Sequence, residues 1–218
     1  MIPIRNVYYM LCYAWENTLK QEDESLLDRE AFNNIYNLLS SILIQEVTKL
    51  IKSGFARGYI DQRESLPIVR GKIDLNNTLK EQALIRKQVI CDYDEFSDNI
   101  TMNQIIKSTM EILLICPRVD KKYRTTFKML LRNFTNIDSI DLNNIHWSRI
   151  AYNRNNKKYR LIINVCQLIN TGLIVKEEKG SSRFPAFIKD RAMAKLYEKF
   201  ILNFYKYELK DIKTSSPL

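Results

Sequence analysis

The sequence predicts an α+β protein that is mostly helical, with a small β-rich unit in its first half and a hairpin in its second half. Two observations support this prediction. Long segments repeat apolar residues at spacings of three and four, which is typical of helices that bury one face. Shorter segments alternate apolar and polar residues and are rich in β-branched side chains, which is typical of strands. With 45% hydrophobic and 27% charged residues, the 218-residue chain can bury a core.

The N-terminal segment, residues 1–54, is predicted to contain two helices. The first covers residues 4–19 and follows Pro3, whose missing N–H costs little at the start of a helix. The second covers residues 29–52, where a broad apolar stripe runs up to Gly54, a residue suited to ending a helix. We therefore expect residues 1–54 to form a helical segment.

Residues 55–95 are predicted to form the β-rich unit. The alternating pattern in this stretch indicates two short strands around a turn, and then a short helix and a third strand. The expected elements are a strand at 59–63, a turn at 64–67, a strand at 66–74, a helix at 75–82 and a strand at 85–93.

Residues 96–218 are predicted to be a helical, basic segment with a small hairpin, so that the chain forms one or two compact domains. Thr101 is the expected N-cap of the first helix, Pro117 separates it from the second, and Gly172 is expected to end the third. The expected elements are helices at 101–115, 120–133, 156–171 and 190–210, a short strand near 138–142, and hairpin strands at 173–177 and 183–188.

The positive net charge, +9, arises entirely from the second half of the chain. Residues 1–110 contain 13 Lys and Arg against 15 Asp and Glu, whereas residues 111–218 contain 21 against 10. Such an asymmetry favours an acidic partner, and nucleic acid is the commonest one. A basic face that is merely solvated is the alternative.

Several catalytic classes lack their motifs. The five glycines form neither a P-loop nor a dinucleotide-binding loop, which excludes a self-contained enzyme of either kind. The single histidine, His146, excludes multi-histidine zinc sites, and we expect it to be a hydrogen-bonded structural residue. Two acidic-x-Lys triplets, at 177–179 and 211–213, lack the preceding acidic strand of a PD-(D/E)xK nuclease. We therefore expect no catalytic residue and no metal site.

The cellular environment can also be predicted. The four cysteines lie far apart in apolar surroundings, as buried reduced thiols do. The N-terminus shows no secretory signal, and no apolar run approaches the length that crosses a bilayer. We expect a cytoplasmic protein without a membrane partner.

Two basic surfaces are candidates for contact with nucleic acid or with a partner protein. The β-rich unit presents cations on neighbouring strands. In the segment 153–160, cations can neutralise phosphates, asparagines can bond to bases or backbone, and Tyr159 can stack. The candidate contact residues are Arg57, Arg70, Lys72, Asn153, Arg154, Asn155, Lys157, Lys158 and Arg160. Ordinary solvated charges are the alternative for both surfaces.

The order of several strings resembles one known family. The opening residues 2–15 contain Arg-Asn-Val-Tyr-Tyr-Met-Leu and are similar to the start of McrC proteins, the nuclease subunits of McrBC modified-cytosine restriction systems. Further similar strings follow in the family's order, so the resemblance covers nearly the whole chain. They lie at 66–74, 96–99, 103–109, 153–160 and 196–200.

This resemblance implies a partner and a division of labour. McrC proteins insert their N-terminal part into McrB, a hexameric AAA+ GTPase, and stimulate GTP hydrolysis, while a C-terminal PD-(D/E)xK domain cuts DNA. Neither Pro-x-Met-x-Thr-Asp-Ile nor Asp-x-Lys-Tyr-Tyr, which resemble that domain's signature, occurs here. The resemblance thus implies a chain that binds and stimulates an McrB-like GTPase without carrying the nuclease module. GTP and Mg²⁺ would belong to the partner, and Mg²⁺ also to the nuclease domain, so this chain is expected to hold no cofactor.

Two other interpretations stay open at this point. The chain can be a stand-alone basic module that binds DNA or acts as an adaptor, or an inactive, truncated restriction subunit. DNA would contact the chain directly in the first case, and directly or through the GTPase in the McrC-like case.

Overall fold

The computed structural model describes residues 34–154, 156–177 and 191–208, and it confirms the α+β class. The helices and strands in chain order are α1 (Ile35–Ser53), β1 (Gly58–Leu66), β2 (Lys72–Ile73), α2 (Leu75–Lys80), β3 (Val89–Ser97), α3 (Thr101–Ile115), α4 (Lys121–Leu130), α5 (Tyr159–Glu177) and α6 (Arg191–Glu208). Short 3₁₀ turns lie at Ala83–Arg86, Leu131–Phe134, Leu142–Asn144 and Trp147–Arg149.

The hydrophobic core is built by α1, α3, α4 and α5, which pack against one another. On α1 the buried apolar residues recur at spacings of three and four, so they form one face of the helix. The largest fully buried side chains include Phe127, Phe134 and Tyr159. Helices from the first and the second half of the described chain therefore share this core.

The predicted helix is confirmed over residues 35–52, and it ends one residue later, at Ser53. Asn34 caps the start, because its side-chain oxygen accepts the Asn37 N–H at 2.9 Å. Gly54 ends the helix with φ of +80°, a conformation that favours glycine. The remaining predicted part of this helix, before residue 34, and the predicted helix at 4–19 lie outside the described residues.

The three strands form an antiparallel sheet in the order β1-β3-β2. β1 pairs with β3 along its whole length, from Gly58 opposite Ser97 to Leu66 opposite Val89. The short strand β2 pairs with the other edge of β3, where Lys72 lies opposite Asp92. β3 is therefore the central strand.

The predicted pairing of the first two strands is wrong. β1 and β2 each pair with β3 and not with each other, and the predicted turn at 64–67 does not form, because β1 continues through Leu66. The third strand begins at Val89 and not at residue 85, because the preceding residues form a 3₁₀ turn. Strand partners far apart in sequence leave no local signal, which is why spacing alone misled here.

The backbone on the two sides of β2 depends on two residues of the string 66–74. Gly71 has φ of +69°, and a Cβ there would lie 2.5 Å from the carbonyl oxygen of Asp92, so only glycine fits. Asp74 caps α2 by accepting the Asn77 N–H at 3.0 Å, and its own N–H donates to Ile90 O at 2.8 Å. Both residues are therefore required by the fold of the β-rich unit.

The second half of the chain brings three corrections. α5 continues through Gly172 to Glu177, so the predicted helix end and the hairpin strand at 173–177 are wrong. A helical glycine costs only about 1 kcal/mol relative to alanine, and burial of the α5 apolar face offsets this cost.

The N-cap of α3 is Ile100 and not Thr101. No strand forms at 138–142, because the Ile140 N–H donates to Ser108 Oγ at 2.7 Å.

The other predicted hairpin strand, at 183–188, and the chain end after residue 208 lie outside the described residues. The last helix is confirmed over Arg191–Glu208. Within the part of the chain that the structure describes, no helix combines the length and the apolar character that crossing a membrane requires.

Candidate partner-binding surfaces

A cavity of about 570 Å³ brings residues of the two predicted basic surfaces together. Arg57, at the start of the sheet, and Asn153, ahead of α5, both line it. The side chains of His146 and Arg149 and the first turn of α3 at Thr101 complete the polar part of its wall. The predicted surfaces are therefore neighbours in the fold.

The hydroxyl of Tyr159 holds the segments around this cavity together. It accepts the Ala56 N–H at 2.7 Å and donates to Asn103 Oδ1 at 2.7 Å. The Asn103 amide in turn donates to Ala56 O at 3.0 Å and to Asp98 O at 2.7 Å. Burial raises the pKa of Tyr159 to about 12, so the hydroxyl keeps its proton. The stacking predicted for Tyr159 is wrong, because its ring is fully buried.

The asparagines of the segment 153–160 form a reciprocal turn ahead of α5. The Asn153 N–H donates to Asn156 Oδ1 at 2.6 Å, and the Asn156 N–H donates to Asn153 Oδ1 at 3.1 Å. The Asn156 amide also donates to Ala151 O at 3.2 Å. The side-chain carbonyls of both residues are thus engaged within the chain. Asn155 lies outside the described residues.

The cations of this segment have different surroundings. The Lys158 ammonium donates to Ser53 Oγ at 2.7 Å and to Gly54 O at 3.0 Å, which places a positive charge at the C-terminus of α1. Arg160 is half-buried, whereas Arg154 and Lys157 are exposed. Contact of any of these residues with a partner stays a prediction.

The candidate arginines of the β-rich unit lie against aromatic rings. The Arg57 guanidinium donates to Phe96 O at 2.7 Å and lies 4.9 Å from the centre of the Phe96 ring. The Tyr59 ring lies 5.2 Å from the Phe96 ring, centre to centre. The Arg70 guanidinium lies 4.0 Å from the centre of the Tyr93 ring. Such stacking limits the conformations of an exposed arginine without neutralising its charge.

The β-rich unit also exposes many large apolar side chains, a feature that the sequence analysis missed. Leu75 and Leu79 lie four residues apart on α2 and so share one face of it. The exposed large apolar residues of the unit are Tyr59, Ile68, Val69, Leu75, Leu79, Leu84, Ile85 and Phe96. Apolar surface left exposed in this amount is typical of a docking site. The adjacent apolar pairs Ile68–Val69 and Leu84–Ile85, which fit neither the helical nor the strand period, could have indicated it.

The groups considered for catalysis or metal binding have ordinary surroundings. His146 is exposed at the cavity, and nothing in the described part of the chain hydrogen-bonds to its ring, so the predicted structural bond is not seen.

Cys91, Cys116 and Cys166 are buried free thiols, which confirms the prediction for them, and Cys12 lies outside the described residues. Burial raises the pKa of Cys166 to about 12. Over residues 34–154, 156–177 and 191–208, no three His, Cys, Asp or Glu side chains cluster as metal ligands do.

These features define an α+β protein in which a helical body carries a small sheet with an exposed apolar surface. A family model described as "McrBC 5-methylcytosine restriction system component" matches residues 4–216, and the chain belongs to this family. It is 30% identical over 216 residues to the Escherichia coli K12 protein named "Type IV methyl-directed restriction enzyme EcoKMcrBC". That match covers 99% of this chain and 62% of the relative, so the chain spans less than two thirds of the relative's length.

Two solved structures from Thermococcus gammatolerans have a similar fold. One is the cryo-EM structure of its McrBC complex, which matches with a TM-score of 0.59 and 20% identity over 76% of this chain and 50% of that chain. The other is a half-complex of McrB AAA+ hexamers with bound McrC, with a TM-score of 0.62 and 18% identity over 95% of this chain and 47% of that chain. At these identities the likeness concerns the fold.

Proposed function

We propose that this chain is the McrC-like component of a modified-cytosine-dependent DNA restriction system. In this proposal it works in the cytoplasm, binds an McrB-like AAA+ GTPase hexamer and stimulates GTP hydrolysis. Membership of the McrBC family supports the proposal, and so does the likeness to a fold that was solved with McrB hexamers and McrC. GTP and its Mg²⁺ would bind to the partner, since this chain has no P-loop.

The observation that carries the proposal is the exposed apolar surface of the β-rich unit. Ile68 and Ile85 are each 78% exposed, and six other large apolar residues of the unit are also exposed. Covering apolar surface contributes about 25 cal/mol per Å², so a partner that covers these residues gains affinity. The sheet, with Gly71 and Asp74 on the two sides of β2, presents them on a defined backbone.

The stacked arginines suggest how docking would stimulate the GTPase. Arg57 and Arg70 carry exposed guanidinium groups whose positions are restricted by Phe96 and Tyr93. A guanidinium held in place stabilises the charge that develops on a transferring phosphoryl group, or on residues that position it. We therefore assign docking to the apolar side chains and stimulation to the two arginines.

Docking is tested with a matched pair of isoleucines. Ile85 in the β-rich unit is 78% exposed, and Ile115 at the end of α3 is 79% exposed. We expect Ile85→Ser to reduce both co-elution with the cognate GTPase and its GTP turnover in the presence of the chain. Ile115→Ser should leave both unchanged. Absence of stimulation by the unaltered chain, or equal losses in both variants, would refute the proposal.

Stimulation is tested by truncating the arginines. Arg57→Ala and Arg70→Ala should lower GTP turnover while co-elution is largely retained, because the apolar residues remain. Arg86→Ala is the control, because Arg86 is also an exposed arginine of the β-rich unit and neither predicted surface includes it. If all three variants stimulate as the unaltered chain does, the assignment of stimulation to these arginines is wrong.

A further inference from the structure

We propose that the exposed face of α4, with the 3₁₀ turn after it, binds the phosphate backbone of double-stranded DNA. This α4 basic face consists of Lys121, Lys128 and Arg132. The inference rests on the proposed function, which assigns the chain to a DNA restriction system. The α4 basic face is distinct from the two predicted basic surfaces and lies outside the β-rich unit.

The three cations form a row along one side of the helix. Lys121 and Lys128 are seven residues apart, Arg132 follows four residues later, and all three are exposed. Residues at these spacings share one face of a helix, while Tyr123 and Phe127 bury the opposite face in the core. At about 1.5 Å per residue the row is about 16 Å long. One DNA strand presents about one phosphate per 3.4 Å of helix axis, so the row can follow about five phosphates.

The sequence around this surface is rich in cations and poor in carboxylates. Residues 118–132 contain six Lys and Arg and one carboxylate, Asp120. No salt bridge among the described residues includes the cations of the α4 basic face, whereas Arg63 in the β-rich unit pairs with Asp74 and Asp92. Maintaining a row of unpaired cations raises self-repulsion, and a polyanion that binds there relieves it.

The composition of the face favours DNA over other anionic partners. α4 exposes one large apolar side chain among its described residues, Met129, which is 53% exposed. A membrane surface would require more apolar anchors than this. The exposed Thr125 lies between Lys121 and Lys128, and the exposed Asn133 follows Arg132. Polar residues of this type commonly accompany lysine and arginine at phosphates.

The experiment measures the salt dependence of DNA binding by the full chain. A fluorescently labelled, unmodified duplex of about two helical turns is titrated at several salt concentrations between about 50 and 200 mM. The variant Lys121→Gln/Lys128→Gln/Arg132→Gln removes the α4 basic face. The control Lys52→Gln/Lys80→Gln/Arg86→Gln removes the same charge from other exposed positions.

We expect the unaltered chain to bind and the α4 variant to lose slope. Each phosphate contact contributes about 0.9 to the slope of log K against log salt, so loss of three contacts should reduce its magnitude by about 2.7. The control variant should retain most of the slope. Failure of the unaltered chain to bind at about 50 mM salt, or equal slopes for the two variants, would overturn the proposal.

Two further measurements separate this inference from the proposed function and from a different anionic surface. GTPase stimulation should be unchanged in the α4 variant, because the β-rich unit is intact. Loss of the DNA slope with normal stimulation therefore supports the inference independently, and loss of stimulation in the α4 variant would contradict the assignment of separate surfaces. Binding to phosphatidylserine vesicles without binding to the duplex would also overturn the proposal.

Discussion

The helical body buries most of its large apolar side chains, whereas the β-rich unit exposes many of its own. α1, α3, α4 and α5 bury their apolar faces against one another, with Leu38, Leu43 and Phe127 inaccessible to solvent. The β-rich unit, which extends in the structure from residue 55 to residue 97, buries few apolar side chains, among them Ile90 and Cys91, and exposes eight large ones. The comparison indicates that the body supplies the stability of the fold, whereas the unit supplies a surface for binding.

The two regions also differ in how they hold their cations. In the β-rich unit Arg63 pairs with two carboxylates, and Arg70 stacks on Tyr93. On the α4 basic face, no salt bridge among the described residues includes Lys121 or Lys128. The unit thus combines apolar surface with positioned charges, and the helical body presents diffuse positive charge. Variants that exchange or remove these properties test the distinction.

The largest effect on stability is expected in the helical body. Phe127→Ala should lower the free energy of unfolding by about 3–5 kcal/mol, because it leaves a cavity in the core. Met129→Ala, two residues further along the same helix and 53% exposed, should change it by less than about 0.5 kcal/mol. Urea unfolding followed by circular dichroism measures both. Similar losses in the two variants would show that α4 does not bury the face that carries Phe127.

A smaller difference is expected between two glycines with positive φ. Gly71→Ala and Gly54→Ala share a backbone penalty of about 1–3 kcal/mol. A Cβ at residue 71 would also meet the Asp92 backbone, whereas nothing lies within 4 Å of one at residue 54. This overpacking should make Gly71→Ala worse by about 1–3 kcal/mol.

The measurement is urea unfolding combined with hydrogen exchange of the β3 amides. Faster exchange in β3 with a protected α3 would place the damage in the β-rich unit. If Gly54→Ala proves equally destabilising, the close approach at Gly71 is not the cause.

The junction of the two regions depends on Tyr159. Tyr159→Phe leaves the Ala56 N–H without its acceptor and should cost about 2 kcal/mol at neutral pH. Tyr152→Phe is the control, because Tyr152 is partly exposed. Equal losses of the free energy of unfolding would contradict a bridging role for the Tyr159 hydroxyl.

The same hydroxyl predicts a dependence on alkaline pH. The pKa of Tyr159 is raised from 10.0 to about 12, so the unfolded chain loses this proton first and stability falls as pH rises from about 10 to 12. The expected slope is about 1.4 kcal/mol per pH unit. Cys166, raised from 9.0 to about 12, contributes in the same direction from about pH 9. Tyr159→Phe should therefore make the loss of stability above pH 10 less steep, with the contribution of Cys166 remaining, and leave the loss between pH 9 and 10 unchanged.

The smallest effect is expected at adjacent lysines. Lys158→Ala removes the ammonium at the C-terminus of α1 and should cost about 0.5 kcal/mol, whereas Lys157→Ala should cost nothing measurable. Thermal unfolding at low ionic strength compares the two. If Lys157→Ala lowers the stability more than Lys158→Ala does, the stabilising contact with the C-terminus of α1 cannot be assigned to Lys158.

Several elements could be predicted because their signals are local. The helices at 35–53 and 101–115 follow from apolar residues repeated within the helix itself, and the end of α1 follows from Gly54. The sheet could not be predicted in the same way, because β1 and β2 meet β3 across a helix and a 3₁₀ turn. The predicted helix end at Gly172 was wrong, because the sequence alone does not distinguish a glycine inside a long helix from one that ends a helix.

The candidate surfaces were predicted only in part. Sequence reasoning identified cations at Arg57, Arg70 and Lys158, but it could not show that two of them stack on aromatic rings and the third caps a distant helix. It missed the exposed apolar residues, because a leucine that fits no period is indistinguishable from a core residue until the fold decides its exposure.

The sequence by itself determined the α+β class, most helices, the positive second half of the chain and the resemblance to one family, because composition, period and motif order are properties of the chain alone. Only the tertiary structure decided which apolar residues are covered, which cations are paired, and how Tyr159 joins the connection between α1 and β1 to α3 and α5. Burial and hydrogen bonding depend on contacts between residues far apart in sequence, and those contacts exist only once the chain has folded.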